Sequence, residues 1–210
     1  GYIWSILLAS SFIFVDNLPT NGIYLIVLPF SIFLIIDLLQ NKTSSKPSIF
    51  QKHLHLTGYV VLPFLIITQL PYSNQNYTPL LLLSIFIMIW CNDTFAYICG
   101  KLLGKHKLYE KISPKKTIEG FIGGLIFTQI AAFIIFKYTD ILASLPFWML
   151  IGLGISVIGT IGDLVESKYK RQAGIKDSGS IMPGHGGILD RLDSILFAAP
   201  FLFLIYKIVI

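Results

Sequence analysis

Two carboxylates lie in or beside long apolar runs, where an ionised group is costly enough to need a reason. Asp93 falls within WCNDTFAYICGKLLGK and Asp163 within GTIGDLVESKYKR. On a helix, Asp163, Glu166 and Lys170 are spaced i, i+3, i+7 and share one face. An ion-paired helix end would account for that stripe if the following segment were ordinary. It reads KRQAGIKDSGSIMPGHGGILDRLDS. Gly184, Gly186 and Gly187 permit positive φ and a close backbone approach, as a phosphate-cradling turn requires. His185 stands among them as a donor to an anion. Asp190, Arg191 and Asp193 open the next apolar run, with Asp190 and Asp193 on one side of its first turn. Capping against the helix dipole explains one aspartate there. It does not explain a second one beside Arg191, His185 and the glycines.

Hard carboxylate ligands without clustered Cys or His suit Mg²⁺ rather than zinc. Cys91 and Cys99, eight apart in an apolar run, read as core packing, and His53 and His55 as interfacial. Mg²⁺ usually takes one or two carboxylates, with phosphate oxygens and water completing its shell. Asp163 and Asp190 flank the glycine-rich segment and could meet across it. A second basic segment, KLLGKHKLYEKISPKKTIEGFIGG, sets Ser113, Lys115, Lys116 and Thr117 just ahead of Glu119. Hydroxyls beside ammonium groups make an anion site. The expected ligand is a nucleotide or another polyphosphate; the less favoured alternative is an anionic membrane surface, which Lys101 to Lys111 alone could serve. Neither a Walker A pattern nor a GxGxxG fingerprint occurs.

The elements that must position these groups are membrane helices. Of 210 residues, 54% are hydrophobic and only 13% charged, and mean hydropathy is +0.74. Soluble domains carry about 25% charged residues. This composition excludes a disordered chain or a disulfide framework, and strict strand alternation is absent, which argues against an outer-membrane barrel. A span needs about 20 mostly apolar residues. Seven stretches qualify or nearly do: 2–15, 22–39, 54–70, 79–99, 121–138, 146–164 and 192–210. The expected fold is all-α, a polytopic transmembrane bundle of about seven spans. The first run is short and begins at Gly1, so N-terminal spans are expected to be missing. Asp37, near the end of the second run, reads as a snorkelled helix-end residue. Fourteen of the sixteen Lys and Arg fall in alternate loops, which assigns those loops to the cytoplasm.

The residues 167–193 resemble the C-terminal signature of phosphatidate cytidylyltransferases, the CDP-diacylglycerol synthases. The matching positions are Ser167, Lys170-Arg171, Lys176-Asp177, His185-Gly186-Gly187 and Asp190-Arg191-Leu192-Asp193; Met182 replaces the usual Leu, Ile or Phe. NDTFAYICGKLLGKHKL and ISPKKTIEGFIGG are similar to the family as well. The likeness covers 91–210, read as the catalytic transmembrane region with its cytoplasmic loops. Residues 1–90 contribute N-terminal transmembrane helices to the same integrated membrane domain. The resemblance implies transfer of the cytidylyl group of CTP to phosphatidate, releasing pyrophosphate, in phospholipid biosynthesis. It implies a paired metal centre, Mg²⁺ with a second cation such as K⁺, on Asp163 and Asp190. It also implies a homodimer in a membrane, read here as a bacterial inner membrane with the site facing the cytoplasm, and no nucleic-acid partner.

Within that chemistry, Asp93 and Asp193 are auxiliary metal ligands. Lys115, Lys116, Lys170, Arg171 and Arg191 clamp phosphates. Ser113, Thr117, Glu119, Ser167, Lys176, His185, Gly186 and Gly187 complete the expected substrate contacts. Two rivals remain: a CTP-dependent polyprenol or phytol kinase, and an ion-coupled transporter using Asp93, Asp163 and Glu119. The transporter reading requires internal repeats and midplane sites, neither of which is evident in the sequence.

Overall fold

A computed structural model describes residues 20–39, 49–71, 78–139, 144–179 and 186–209. The expected first run, at 2–15, lies outside them. The described chain is mostly helical. Helix α1 (Thr20–Leu39) is followed by α2 (Ile49–His55), which passes through a π-helical turn, Leu56–Val61, into α3 (Leu62–Gln69). Helix α4 (Pro79–Leu103) leads to a hairpin, β1 (Lys107–Tyr109) and β2 (Ser113–Thr117), and then α5 (Ile118–Tyr138). Helix α6 (Leu145–Gly154) runs through a second π-helical stretch, Ile155–Gly159, into α7 (Thr160–Gln172), and α8 (Leu189–Val209) closes the sequence.

Among the described residues, three helices are long and apolar enough to cross a membrane: Pro79–Leu103, Ile118–Tyr138 and Leu145–Gln172. A shorter apolar helix covers Val27–Leu39. The described helices therefore support a membrane bundle without reaching the expected seven spans. On α5, Ile118, Ile122, Ile126, Ile130 and Ile134 recur every four residues and are 42–50% exposed. Such a stripe would be a liability in water and is ordinary against acyl chains.

Local chemistry sets the boundaries. Pro79 and Pro146 open α4 and α6, where a missing N–H costs nothing. Thr117 caps α5, its Oγ1 accepting from Gly120 N–H at 3.1 Å. The antiparallel hairpin departs from an all-α fold. Its ladder pairs Lys107 with Thr117 and Tyr109 with Ser113, with a bulge between. Strands this short and this basic leave no apolar alternation to read.

The main core packs Phe147, Trp148, Ile151 and Ile155 against Leu202 and Tyr206, with Ile66 and Met88 alongside. A second cluster joins Leu34 and Leu38 of α1 to Tyr59, Ile112, Leu164, Val165 and Phe197. Asp37 is paired rather than snorkelled: Lys168 Nζ lies 2.6 Å from its Oδ2. Nothing in the residues around Asp37 points to this partner, because 131 residues separate the two.

Helices α4 and α5 meet along a seam of small residues, the usual way for membrane helices to approach closely. A Cβ at Gly120 would stand 2.6 Å from the Ala96 carbonyl oxygen, and one at Gly124 2.9 Å from that of Asn92. Gly120→Val should therefore force the helices apart and destabilise the protein by about 1–3 kcal/mol. Thermal unfolding in detergent checks this, with Ile126→Val on the exposed face as the control expected to melt close to wild type.

Candidate functional site

The seam and the hairpin bring α4, α5, α7 and the start of α8 around one cavity of about 410 Å³. Asn92, Asp93, Tyr97 and Lys101 line it from α4, and Lys115, Lys116 and Thr117 from the hairpin. Thr160 and Asp163 contribute from α7; Asp190, Arg191, Asp193 and Ser194 contribute from α8. Eight of the residues singled out from sequence thus share one space: Asp93, Lys115, Lys116, Thr117, Asp163, Asp190, Arg191 and Asp193.

Two of its lining carboxylates, Asp163 and Asp193, belong to a trio that Glu166 completes from behind the wall. Asp163, Glu166 and Asp193 each offer an oxygen within 4.8 Å of the others. Asp163 and Glu166 share a face of α7 one turn apart, and Asp193 meets them from the first turns of α8. Glu166 is 1% exposed and Asp193 8%. Like charges this close and this dry repel strongly unless cations answer them. Lys116 Nζ donates to Asp163 Oδ2 from across the cavity. Lys170 Nζ stands 2.5 Å from Glu166 Oε2 and 2.8 Å from Asp190 Oδ1. Ser167 Oγ donates to Asp163 Oδ1 at 3.4 Å, and Ser194 N–H to Asp193 Oδ1 at 2.7 Å. Glu166 Oε1 is buried with no hydrogen-bond partner among the described residues. Hard oxygens converging in this way, one of them unanswered, fit a divalent cation of the Mg²⁺ kind.

Asp190 is engaged differently. Besides Lys170, it accepts from Gly187 N–H at 2.6 Å and Ser178 N–H at 2.9 Å, fastening both ends of the glycine-rich segment. It precedes the apolar run of α8. Burial pushes its carboxyl up, but Lys170 and the Gly187 and Ser178 amides outweigh this and hold it well below the usual carboxylate range. Gly186 has φ +84°, and a Cβ there would lie 2.5 Å from Asp190 Oδ2. The turn therefore needs glycine at that position.

Other expected site residues stand outside this set of contacts. Glu119 accepts from Lys105 N–H at 3.1 Å, from His106 N–H at 3.2 Å, and meets His106 Nδ1 at 2.6 Å, closing the base of the hairpin. Arg171 donates to the Ile175 carbonyl at 3.3 Å, and Lys176 is exposed. Ser113 sits opposite Tyr109 in the ladder. His185 lies outside the described residues. Several residues were missing from the expected set, among them Tyr97, Lys101, Thr160 and Ser194 of the lining, and two others matter most. Glu166 was visible in the i, i+3, i+7 stripe. Asn92 is buried, accepts from Thr128 Oγ1 at 3.4 Å and donates to Asp93 Oδ1 at 3.5 Å; its signal was a polar pair inside an apolar helix.

Compared with known proteins, residues 1–209 match the family model described as the cytidylyltransferase family. The chain is similar to a protein of Staphylococcus haemolyticus named phosphatidate cytidylyltransferase, 52% identical over 56% of this chain and 45% of the relative. Relatives of the same name in Staphylococcus saprophyticus and Staphylococcus aureus are 45% and 46% identical, each over 69% of this chain and 54% of the relative. The chain spans about half the length of the curated relatives it matches.

Because Asp190 ties Ser178, Gly187 and Lys170 together, Asp190→Asn should loosen the segment as well as remove a charge. The expected loss is about 1.5–3 kcal/mol, the range for a hydrogen bond to a charged group. Hydrogen exchange at the Ser178 and Gly187 amides, faster by at least about tenfold, together with a lower melting temperature, would bear this out. Unchanged exchange would show that other contacts hold the segment.

Proposed function

The chain belongs to the cytidylyltransferase family, and from that premise we propose that it transfers the cytidylyl group of CTP to phosphatidate. The products are CDP-diacylglycerol and pyrophosphate. One observation carries the reading: a single cavity joins the Asp163 and Asp193 carboxylates to Lys115, Lys116 and Arg191, so a bound cation and two phosphate-bearing substrates could be held together. The names of the Staphylococcus relatives support phosphatidate as acceptor. The alternating basic loops support a site facing the cytoplasm across a bacterial inner membrane. The resemblance of the signature supports a homodimer and a second cation such as K⁺.

The chemistry asks little covalent work of the protein. A phosphate oxygen of phosphatidate attacks the α-phosphorus of CTP, and the bond from that phosphorus to the oxygen bridging to the β-phosphate breaks. Pyrophosphate leaves with the bond's electron pair. A phosphate monoester dianion is already an adequate nucleophile, so no general base is required. Catalysis rests on bringing two anions into line and answering the charge that develops. Lys115, Lys116 and Arg191 bind phosphate oxygens. Asp163, Glu166 and Asp193 would hold a divalent cation, which when bound neutralises phosphate charge. Lys170 orients Glu166 and Asp190, and Asp190 in turn shapes the glycine turn at 186–187.

The test is a product assay on the full-length enzyme with CTP, phosphatidate and Mg²⁺. Pyrophosphate and a lipid carrying cytidine are expected. CDP together with a phosphorylated isoprenoid alcohol, when such an alcohol replaces phosphatidate, would instead mark a kinase. Asp163→Asn should lower kcat by about 10²–10³-fold, the scale for losing one preorganised electrostatic contact. Mg²⁺ should raise the melting temperature of wild type and not of Asp163→Asn. An equal shift in both proteins would move the cation away from this trio.

A further inference from the structure

The carboxylates and the lysines that answer them sit on separate elements, so their spacing depends on what holds α7 against the hairpin. Lys116 reaches Asp163 across 47 residues of sequence. An ammonium on a flexible stem, held by a single carboxylate oxygen, fixes that spacing poorly. The anchor lies behind the site. Lys168 is two residues past Glu166 and five past Asp163, which turns it about 200° and 140° around the helix and away from the carboxylate face. It is 8% exposed, so this buried ammonium is no incidental surface charge. Its Nζ lies 2.6 Å from both the backbone oxygen and Oδ2 of Asp37. The next residue of α1, Leu38, accepts from Tyr109 Oη at 3.1 Å. Asp37 and Leu38 belong to the last turn of α1, whose carbonyls lack helical partners and carry the negative end of the dipole. Adjacent carbonyls thus hold α7 with one hand and the hairpin with the other.

We infer that this end of α1 is a positioning hub: Lys168 on Asp37 and Tyr109 on Leu38 set where the carboxylate face of α7 stands against Lys115 and Lys116. The inference rests on the transfer reaction proposed above. Three contacts agree with it. Ile112, in the hairpin's turn, is buried in one cluster with Leu34, Leu38, Leu164 and Val165. Tyr59 Oη donates to the Gly162 carbonyl at 3.4 Å, and the His55 ring lies 5.2 Å from that of Tyr169. All approach α7 or the hairpin from the N-terminal part of the chain. The π-helical stretch at Ile155–Gly159 supplies the need. It shifts the helical phase just before α7, so the face that α7 turns to the hairpin is not the one a regular continuation of α6 would present.

The test uses the full-length enzyme in lipid nanodiscs with Asp37→Asn, Lys168→Met and the two combined. Each single change strands one charge and should lower the melting temperature; the double removes both charges and should recover it. If the pair positions α7, kcat of the double stays about tenfold below wild type while KM for CTP changes less than twofold. Recovery of kcat together with stability would overturn the hub, leaving the pair with no role beyond neutralising itself. A rise in KM matching the fall in kcat would overturn it too, since Lys168 would then be touching substrate. Tyr109→Phe, which removes a hydroxyl and no charge, is an independent arm should the double fail to fold. Lower kcat at an almost unchanged melting temperature supports the hub; unchanged kcat overturns its hairpin half. If wild type itself converts no phosphatidate, the reaction assignment has failed, and the hub is then read by hydrogen exchange alone. Faster exchange across 107–117 in the double or in Tyr109→Phe supports it, and unchanged exchange overturns it.

Discussion

Three carboxylates share a space 4.8 Å across inside a bundle of apolar helices, and the rest of the structure answers that fact. Desolvating even one such group costs several kcal/mol, and neighbouring like charges add to the cost. Cations answer these charges from two directions. Lys170 comes from the same helix one turn beyond Glu166, and Lys116 comes from a hairpin held outside the helical layer. The answer is incomplete, since Glu166 Oε1 finds no partner among the described residues.

Delivering Lys116 explains why a hairpin interrupts a helical protein. Two helices packed as closely as α4 and α5 leave little room for a long side chain between them. The hairpin lifts β2 over the end of the seam and then hands the chain to α5 through the Thr117 cap. Glu119 closes its base by taking the Lys105 and His106 amides, so an acidic residue beside a lysine cluster serves the loop's shape. Asp190 does the same for the glycine-rich segment. In both places a carboxylate near the site is spent on backbone N–H groups, which have few other partners in so tight a turn.

Much of this was legible in the sequence. Composition and hydropathy pointed to membrane helices, and spacing alone placed Asp163, Glu166 and Lys170 on one helix face. Asp93 and Asp163 of the cavity lining stood out because ionised groups in apolar runs demand explanation. The illegible parts share a cause: they depend on contacts distant in sequence or on departures from regular periods. The hairpin is too short to alternate, and the π-helical stretches leave the hydropathy profile untouched while changing the phase of everything after them. Asp37 looked like a helix-end charge because Lys168, its partner, sits 131 residues away at a position the signature leaves unspecified. The amides that Asp190 accepts from could not be foreseen, because they become its neighbours only when the glycine turn forms.

The division between motif and scaffold is therefore misleading for this bundle. Coulomb attraction is long-ranged and weakly directional, whereas phosphoryl-type transfer is sensitive to displacements of about 1 Å. Charged side chains on flexible stems do not meet that tolerance through single ion pairs alone. The tolerance has to come from backbone placed by packing and by hydrogen bonds of fixed geometry. Here such bonds converge on the last turn of α1, in the part of the chain whose sequence looked like hydropathy and little else. The residues proposed to carry the chemistry can be read from their types and spacing. Those proposed to hold its distances are ordinary ones, and they become visible only when the chain has folded.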